Sequence, residues 1–169
     1  MKPNKNTAFE SRAIISSPIG AVEVLQIGEA ITGIRIISSL PSSARASKIT
    51  PLLRIVTTQL KEYFSGTRFD FEFPIELRGT DFQKKVWRAT QKIPHAELRS
   101  YSEIAKKIRR PKAVRAVGQA LGKNPVLLVV PCHRVIGSQG KLTGFAAGIG
   151  NKEWLLDFEG APLSQSSTS

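Results

Sequence analysis

The chain holds one cysteine, Cys132, in the run Pro131-Cys132-His133-Arg134-Val135. A lone cysteine is most often an inert, buried apolar residue. Here its neighbours point the other way, because an imidazole and a guanidinium beside a thiol favour the thiolate, which is the nucleophilic form. Five apolar residues, Val126–Val130, come just before the motif. They predict a buried strand that delivers Cys132 at its end. Adjacent side chains of an extended chain point to opposite faces, so His133 is expected to reach the sulfur through a bridging water. Its other ring nitrogen needs an orienting partner, which a carboxylate from a later helix could supply.

The surroundings of this motif are strongly basic. The 169 residues carry a net charge of +12, and Arg78–Lys123 alone holds thirteen Lys/Arg against three Asp/Glu. A charge surplus gathered in one helical stretch favours a polyanion, and nucleic acid above all, over a merely solvated face. A membrane surface fits poorly, because these helices lack a large apolar face with aromatic anchors. One cysteine excludes an intramolecular disulfide framework and any zinc site built on several cysteines. Neither a metal nor an organic cofactor is expected. The N-terminus lacks the apolar core of a signal peptide and no stretch of 18 apolar residues occurs, so a cytoplasmic protein (nuclear in a eukaryote) is expected.

The elements that must position Cys132 can be read in order. Residues 1–10 read as a polar arm. Ala21–Ile27 and Ile31–Ile37 are rich in Val and Ile and flank a short hairpin loop at Gly28; Ser38–Ser47 reads as a loop. Thr50-Pro51 caps a helix carrying Leu53, Val56, Leu60 and Phe64 at helical spacing, with Gly66 as its stop. Phe69, Phe71 and Phe73 alternate with acids and predict a strand ending at Pro74. Thr80 with Gln83, and Ser100 with Glu103, are capping-box pairs. They open helices running to about Lys92 and from Tyr101 to about Ile108. A turn at Arg109-Arg110-Pro111 leads to a third helix, Lys112–Gly122. This helix, short turn and helix resemble a helix-turn-helix DNA reader.

Within that third helix, Arg115, Gly118, Gln119 and Gly122 fall in an arc of roughly 100°, while Val114, Val117 and Leu121 should face the core. Each glycine weakens a helix by about 1 kcal/mol, so two on one face call for a reason. Either they pack against another element, or they let the backbone approach a DNA minor groove, with Arg115 entering the base stack. After Cys132, Gly137–Gly140 reads as a turn. Residues 142–148, with Phe145, Ala146 and Ala147, form a small-residue loop that could wall a pocket for a flat base or be plain surface. Asn151–Phe158 reads as a helix with Trp154, Leu155 and Phe158 as its apolar face, followed by Glu159. Residues 161–169 read as a disordered tail.

The run PCHRVIG at Pro131–Gly137 resembles the signature of the O6-alkylguanine–DNA alkyltransferases. GTDFQKKVW at 79–87, SYSEIA at 100–105, PKAVRAVG at 111–118, Asn124-Pro125 and KEWLL at 152–156 fall in that family's order. The resemblance implies that Cys132 accepts the alkyl group, with His133 (through a water) and Glu159 activating it. By the same resemblance Tyr101 assists nucleotide rotation and supports the departing guanine, and Arg115 fills the gap left by the flipped base. Asn124 stabilises the turn before the active-site strand, Val135 offers its carbonyl to the guanine amino group, and the amide of Ala146 meets the lesion oxygen. Phe145 and Ala147 line the pocket loop, while Gly118, Gln119 and Arg134 join the DNA contacts. Some members bind structural zinc through N-terminal cysteines, and this chain has none there.

The fold class expected is thus α/β (α+β). A small N-terminal α/β domain spans 1–74, a linker 75–79, a mainly helical DNA-binding and alkyl-acceptor domain 80–160, and a flexible tail 161–169. The expected activity is irreversible, single-turnover transfer of an alkyl group from O6-alkylguanine in double-stranded DNA to Cys132, by a monomer. A non-catalytic lesion sensor of the same fold is the alternative, and Cys132 argues against it. A cysteine hydrolase using Cys132, His133 and Glu159 is a third reading, opposed by the basic helix-turn-helix.

Overall fold

The computed structural model describes residues 10–39 and 48–163, which divide into two compact units, one ending at Leu77 and one beginning at Arg78. The expectations for an N-terminal arm, for most of the 38–47 loop and for the last six residues of the tail lie outside the described residues.

In the first unit, β1 (Glu10–Ser17), β2 (Gly20–Ile27) and β3 (Ala30–Ile37) form an antiparallel meander in the order β1-β2-β3. Gly28 takes a left-handed φ of 60° in the β2–β3 turn, where a side chain would be strained. Ala13, Ile15, Val22, Val24 and Ile34 are buried on one face of the sheet. Against it lies α1 (Pro51–Phe64), which buries Leu53, Val56, Leu60 and Tyr63. Thr50 caps α1 by accepting from the Leu53 amide at 3.0 Å.

Phe69–Phe73 is not a strand. Its backbone is held by a side chain instead: the Gln59 carboxamide accepts from the Glu72 amide at 2.8 Å and donates to the Glu72 carbonyl at 3.2 Å. Sheet pairing begins only beyond Pro74, where Ile75 bridges Ile31 in parallel.

The second unit is built on α2 (Asp81–Gln91), α3 (Tyr101–Lys107) and α4 (Val114–Gly122), which pack on one another. Both capping boxes form, at Thr80/Gln83 and Ser100/Glu103. Trp87 locks the bundle by donating its indole N–H to the Ala120 carbonyl at 2.8 Å. A β-carbon at Gly79 would stand 2.6 Å from that ring, so glycine is required there. The helix-turn-helix outline holds, with α4 starting at Val114 rather than Lys112. Val114 is 37% exposed, not a core residue. Two short parallel strands, β4 (Arg99–Ser100) and β5 (Val135–Ile136), tie the start of α3 to the chain after the cysteine. The last helix, α5 (Ile149–Glu159), ends on Gly160 in the left-handed conformation.

Val126–Val130 is buried as expected but is a tight turn, not a strand. The Val130 amide donates back to the Val126 carbonyl at 3.0 Å, and Leu128 takes a φ of 71°. A left-handed leucine costs about 1–2 kcal/mol. It is held because Asn124 satisfies the two backbone groups a strand would have needed, accepting from the Val126 amide at 3.0 Å and donating to the Val130 carbonyl at 2.7 Å. Cys132–Arg134 then forms a single 3₁₀ turn, so the strand alternation expected at this point does not apply.

Candidate active site

Three segments converge on Cys132: the turn after α4, the 3₁₀ turn that carries the cysteine itself, and α5. The helix α5 buries Lys152, Leu155, Leu156 and Glu159, residues spaced i, i+3, i+4, i+7 along one face. Its inward stripe thus begins and ends with a charged residue. Trp154 and Phe158, expected as the apolar face, are half-buried and stack on each other with centroids 4.9 Å apart.

Cys132 is 5% exposed. Burial pushes its thiol up to about 11, opposed by the Asn124 hydrogen bond and by the Lys152 charge. Asn124 Nδ2 donates to Sγ at 3.1 Å. The resting side chain is therefore a thiol at neutral pH, and a base must take its proton during reaction.

His133 is fully buried, and its Nε2 lies 2.9 Å from Glu159 Oε1. Burial pushes its pKa down, against the pull of the Glu159 carboxylate. Burial alone would raise the Glu159 pKa, but hydrogen bonds from His133 and Arg134 outweigh it and keep the carboxyl ionised. An ionised carboxylate accepts only, so neutral His133 carries its proton on Nε2 and leaves Nδ1 with a free lone pair. That Nδ1 is buried and has no hydrogen-bond partner among the described residues.

Arg134 does not belong to a DNA-facing surface. It is buried, donates Nε and Nη2 to the two oxygens of Glu159, both at 2.9 Å, and gives Nη1 to the Ile93 carbonyl at 2.7 Å. The 3₁₀ turn swings it inward, toward the carboxylate that His133 also uses.

A cavity of about 610 Å³ opens beside Cys132 and is lined by Tyr101, Val114, Arg115, Gly118, Gln119, Phe145 and Ala146, among others. Arg115 and Gln119 are exposed at its rim. A β-carbon at Gly118 would meet only the Tyr101 ring, at 3.8 Å, and at Gly122 nothing within 4 Å. Packing inside the protein therefore gives no reason for either glycine. Tyr101 donates its hydroxyl to the Thr143 carbonyl at 3.0 Å, and Phe145 stands edge-on to His133 at 6.4 Å. Ala147 is not part of this lining; its carbonyl accepts from Asn151 at 2.9 Å. A groove of about 670 Å³ along α1 in the first unit has no cysteine or histidine in its lining.

Lys152 was not singled out from the sequence. It is fully buried and donates to the Val135 carbonyl at 2.6 Å and the Thr143 carbonyl at 2.9 Å, joining β5 to the pocket loop. Burial lowers its pKa to about 8. The signal that could have found it is its place three and four residues before the buried Leu155 and Leu156. Val135, expected to offer its carbonyl to a base, already shares that oxygen with Lys152; a carbonyl has two lone pairs, and one remains.

Residues 81–161 match the DNA-binding domain of 6-O-methylguanine DNA methyltransferase, and residues 11–77 match the ribonuclease-like domain of the same proteins. The methylated-DNA–protein-cysteine methyltransferase of Mycobacterium tuberculosis is 44% identical over 147 residues, covering 86% of this chain and 89% of its own length. That of Methanosarcina acetivorans is 42% identical, covering 88% and 97%. The crystal structure of the M. tuberculosis O6-methylguanine methyltransferase superposes with a TM-score of 0.80 at 41% identity, covering 89% of this chain and 93% of that one. A structure of the M. tuberculosis protein in complex with DNA gives a TM-score of 0.80 at 42% identity, covering 88% and 92%. The fold and site define a DNA-binding methyltransferase of alkylation repair, and the chain belongs to the 6-O-methylguanine DNA methyltransferase family.

Proposed function

We propose that this protein flips an O6-alkylguanine out of duplex DNA and moves the alkyl group onto Cys132 once, without turnover. The observation that carries this reading is a buried thiol that lines a base-sized cavity and is followed in the same 3₁₀ turn by a buried imidazole oriented by a carboxylate. The target is a saturated carbon on a base oxygen, and it is out of reach inside the duplex. Flipping costs a few kcal/mol.

The exposed cations from Arg78 to Lys123 hold the phosphates. The bare Gly118–Gly122 face of α4 lies against the minor groove, and Arg115 occupies the space the base leaves. Tyr101 releases Thr143 to steer the nucleotide, and the Ala146 amide meets the lesion oxygen. His133 Nδ1 takes the Cys132 proton through one water, and Glu159 steadies the resulting imidazolium. Sγ then attacks the alkyl carbon: an S–C bond forms, the C–O bond breaks, and the electron pair leaves with the guanine oxygen as Tyr101 donates to the departing base. The product is a thioether. Water cannot readily cleave it, so the site is spent after one event. The protein acts as a monomer, because each step draws on one chain.

A lesion sensor would need no nucleophile, whereas here three groups converge on one. The test is Cys132→Ser. It should bind alkylated duplex as the native protein does and take up no alkyl group; transfer by Cys132→Ser would overturn the reading.

A further inference from the structure

Glu159 is shared by the side chains of His133 and Arg134, with a longer bond from the Ala96 amide to Oε2 at 3.5 Å. Its Oε1 accepts from His133 and from Arg134 Nη2, and its Oε2 accepts from Arg134 Nε, each at 2.9 Å. The arginine fork is fixed at its other end by the Ile93 carbonyl at 2.7 Å. All three charged or polar side chains are buried. We propose that Arg134 is a positioning residue: by holding the Glu159 carboxylate from its far side it keeps His133 a neutral base, with the proton on Nε2 and Nδ1 open, until Cys132 gives up its proton. This rests on the transfer reading above and assigns a task to a residue the chemistry does not touch.

The argument is one of charge. Without Arg134 the buried carboxylate would keep its bonds from His133 and the Ala96 amide but lose the cation that touches it, which is costly unless a proton joins the pair. The proton would settle on His133 or Glu159 near neutral pH, and Nδ1 would no longer be free to take another. With Arg134 present the carboxylate is already neutralised, and its pull on the imidazole is weaker. Burial and the Arg134 charge both lower the His133 pKa. The groups that act on this imidazole are Glu159 and Lys152 from α5, Arg134 from its own turn, and Phe145 of the pocket loop, set edge-on to it. Lys152 adds positive charge on the same side of the balance, so Arg134 does not act alone. It is the member that touches the carboxylate, however, and its fork fixes the oxygen orientation through two parallel bonds.

The test is nitrogen NMR of ¹⁵N-labelled histidine side chains. The chain has two histidines, His95 and His133, and His95→Gln assigns them. In the native protein His133 should be neutral, protonated at Nε2, from about pH 6 to pH 8, above the range in which an imidazole whose pKa is lowered by burial takes up its second proton. In Arg134→Met its midpoint should rise by at least about one unit, bringing an imidazolium signal into that range. Transfer from free O6-benzylguanine should slow at least about tenfold at neutral pH, and Arg134→Lys should recover part of the loss. An Arg134→Met protein whose His133 keeps the native signal would overturn the proposal. So would an imidazolium in the native protein at neutral pH, a result that needs no folded variant. The spectra require no alkylated base. A protein that gave them but took up no alkyl group would support the charge assignment while refuting the transfer reading.

Discussion

Asn124 and Cys132 are joined by a hydrogen bond from Nδ2 to Sγ at 3.1 Å, made by the same side chain that closes the Val126–Val130 turn. One residue therefore both shapes the backbone beneath the nucleophile and supplies the donor that favours its thiolate.

Asn124→Ala should fail on both counts. It strands the Val126 amide in the interior at about 1–3 kcal/mol, takes from the Val130 carbonyl one of its two bonds (the Cys132 amide keeps the other, at 2.8 Å) at about 0.5–1.5 kcal/mol, and removes a hydrogen bond that lowers the Cys132 pKa. Urea unfolding should show a loss of roughly 2–5 kcal/mol, and single-turnover transfer should slow at least about tenfold. Native stability in Asn124→Ala would contradict the closing role.

The pH dependence of stability has a definite sign. The folded pKa of His133 is depressed, so between its unfolded value, about 6.5, and that lower value the unfolded chain binds more protons. Stability is thus fully present above about pH 6.5 and declines on acidification. Glu159, also depressed, adds its loss only below its unfolded value, about 4.3. Lys152, lowered to about 8, gives a rise in stability with pH above that point, while Cys132, raised to about 11, gives a fall above the ordinary thiol value of 9.0. Denaturant midpoints from pH 5 to 7 should fall with acid in the native protein, and His133→Gln should flatten the slope. An equal slope in His133→Gln would place its origin elsewhere.

Gly118→Ala should separate stability from binding. A β-carbon there fits beside Tyr101 at an ordinary 3.8 Å. The change should therefore stabilise α4 by about 0.5–1 kcal/mol while weakening affinity for duplex DNA. Higher stability with unchanged affinity would mean that this face does not meet the duplex.

Arg115→Ala separates flipping from chemistry. Its single-turnover rate at saturating duplex should fall strongly, while reaction with free O6-benzylguanine stays near native, since a free base needs no flipping. A saturated duplex rate close to native would make Arg115 an ordinary phosphate contact.

Much of this was legible in the chain. Thr50-Pro51, Thr80/Gln83 and Ser100/Glu103 announced three helices, because caps are local chemistry and the backbone obeys them. His133 and Glu159 are hydrogen-bonded at 2.9 Å, and His133 shares its 3₁₀ turn with Cys132. The misreadings share a cause: a side chain took over a backbone's hydrogen bonds. Asn124 turned an apolar run into a loop and Gln59 replaced a strand partner at Glu72, and no periodicity records either event. Arg134 and Lys152 were missed as interior groups because a lone cation in a sequence reads as surface. Only the fold brings Glu159 and the carbonyls of Val135 and Thr143 within their reach.

The central claim is stoichiometric transfer to one sulfur, and intact-mass analysis tests it most directly. The protein is incubated with excess duplex carrying a single O6-methylguanine, then digested and mapped. The account predicts a gain of one methyl group per chain, located on Cys132, after which uptake stops and further lesions remain unrepaired. Continued removal of lesions beyond one per protein, or a methyl group on any residue but Cys132, would contradict it.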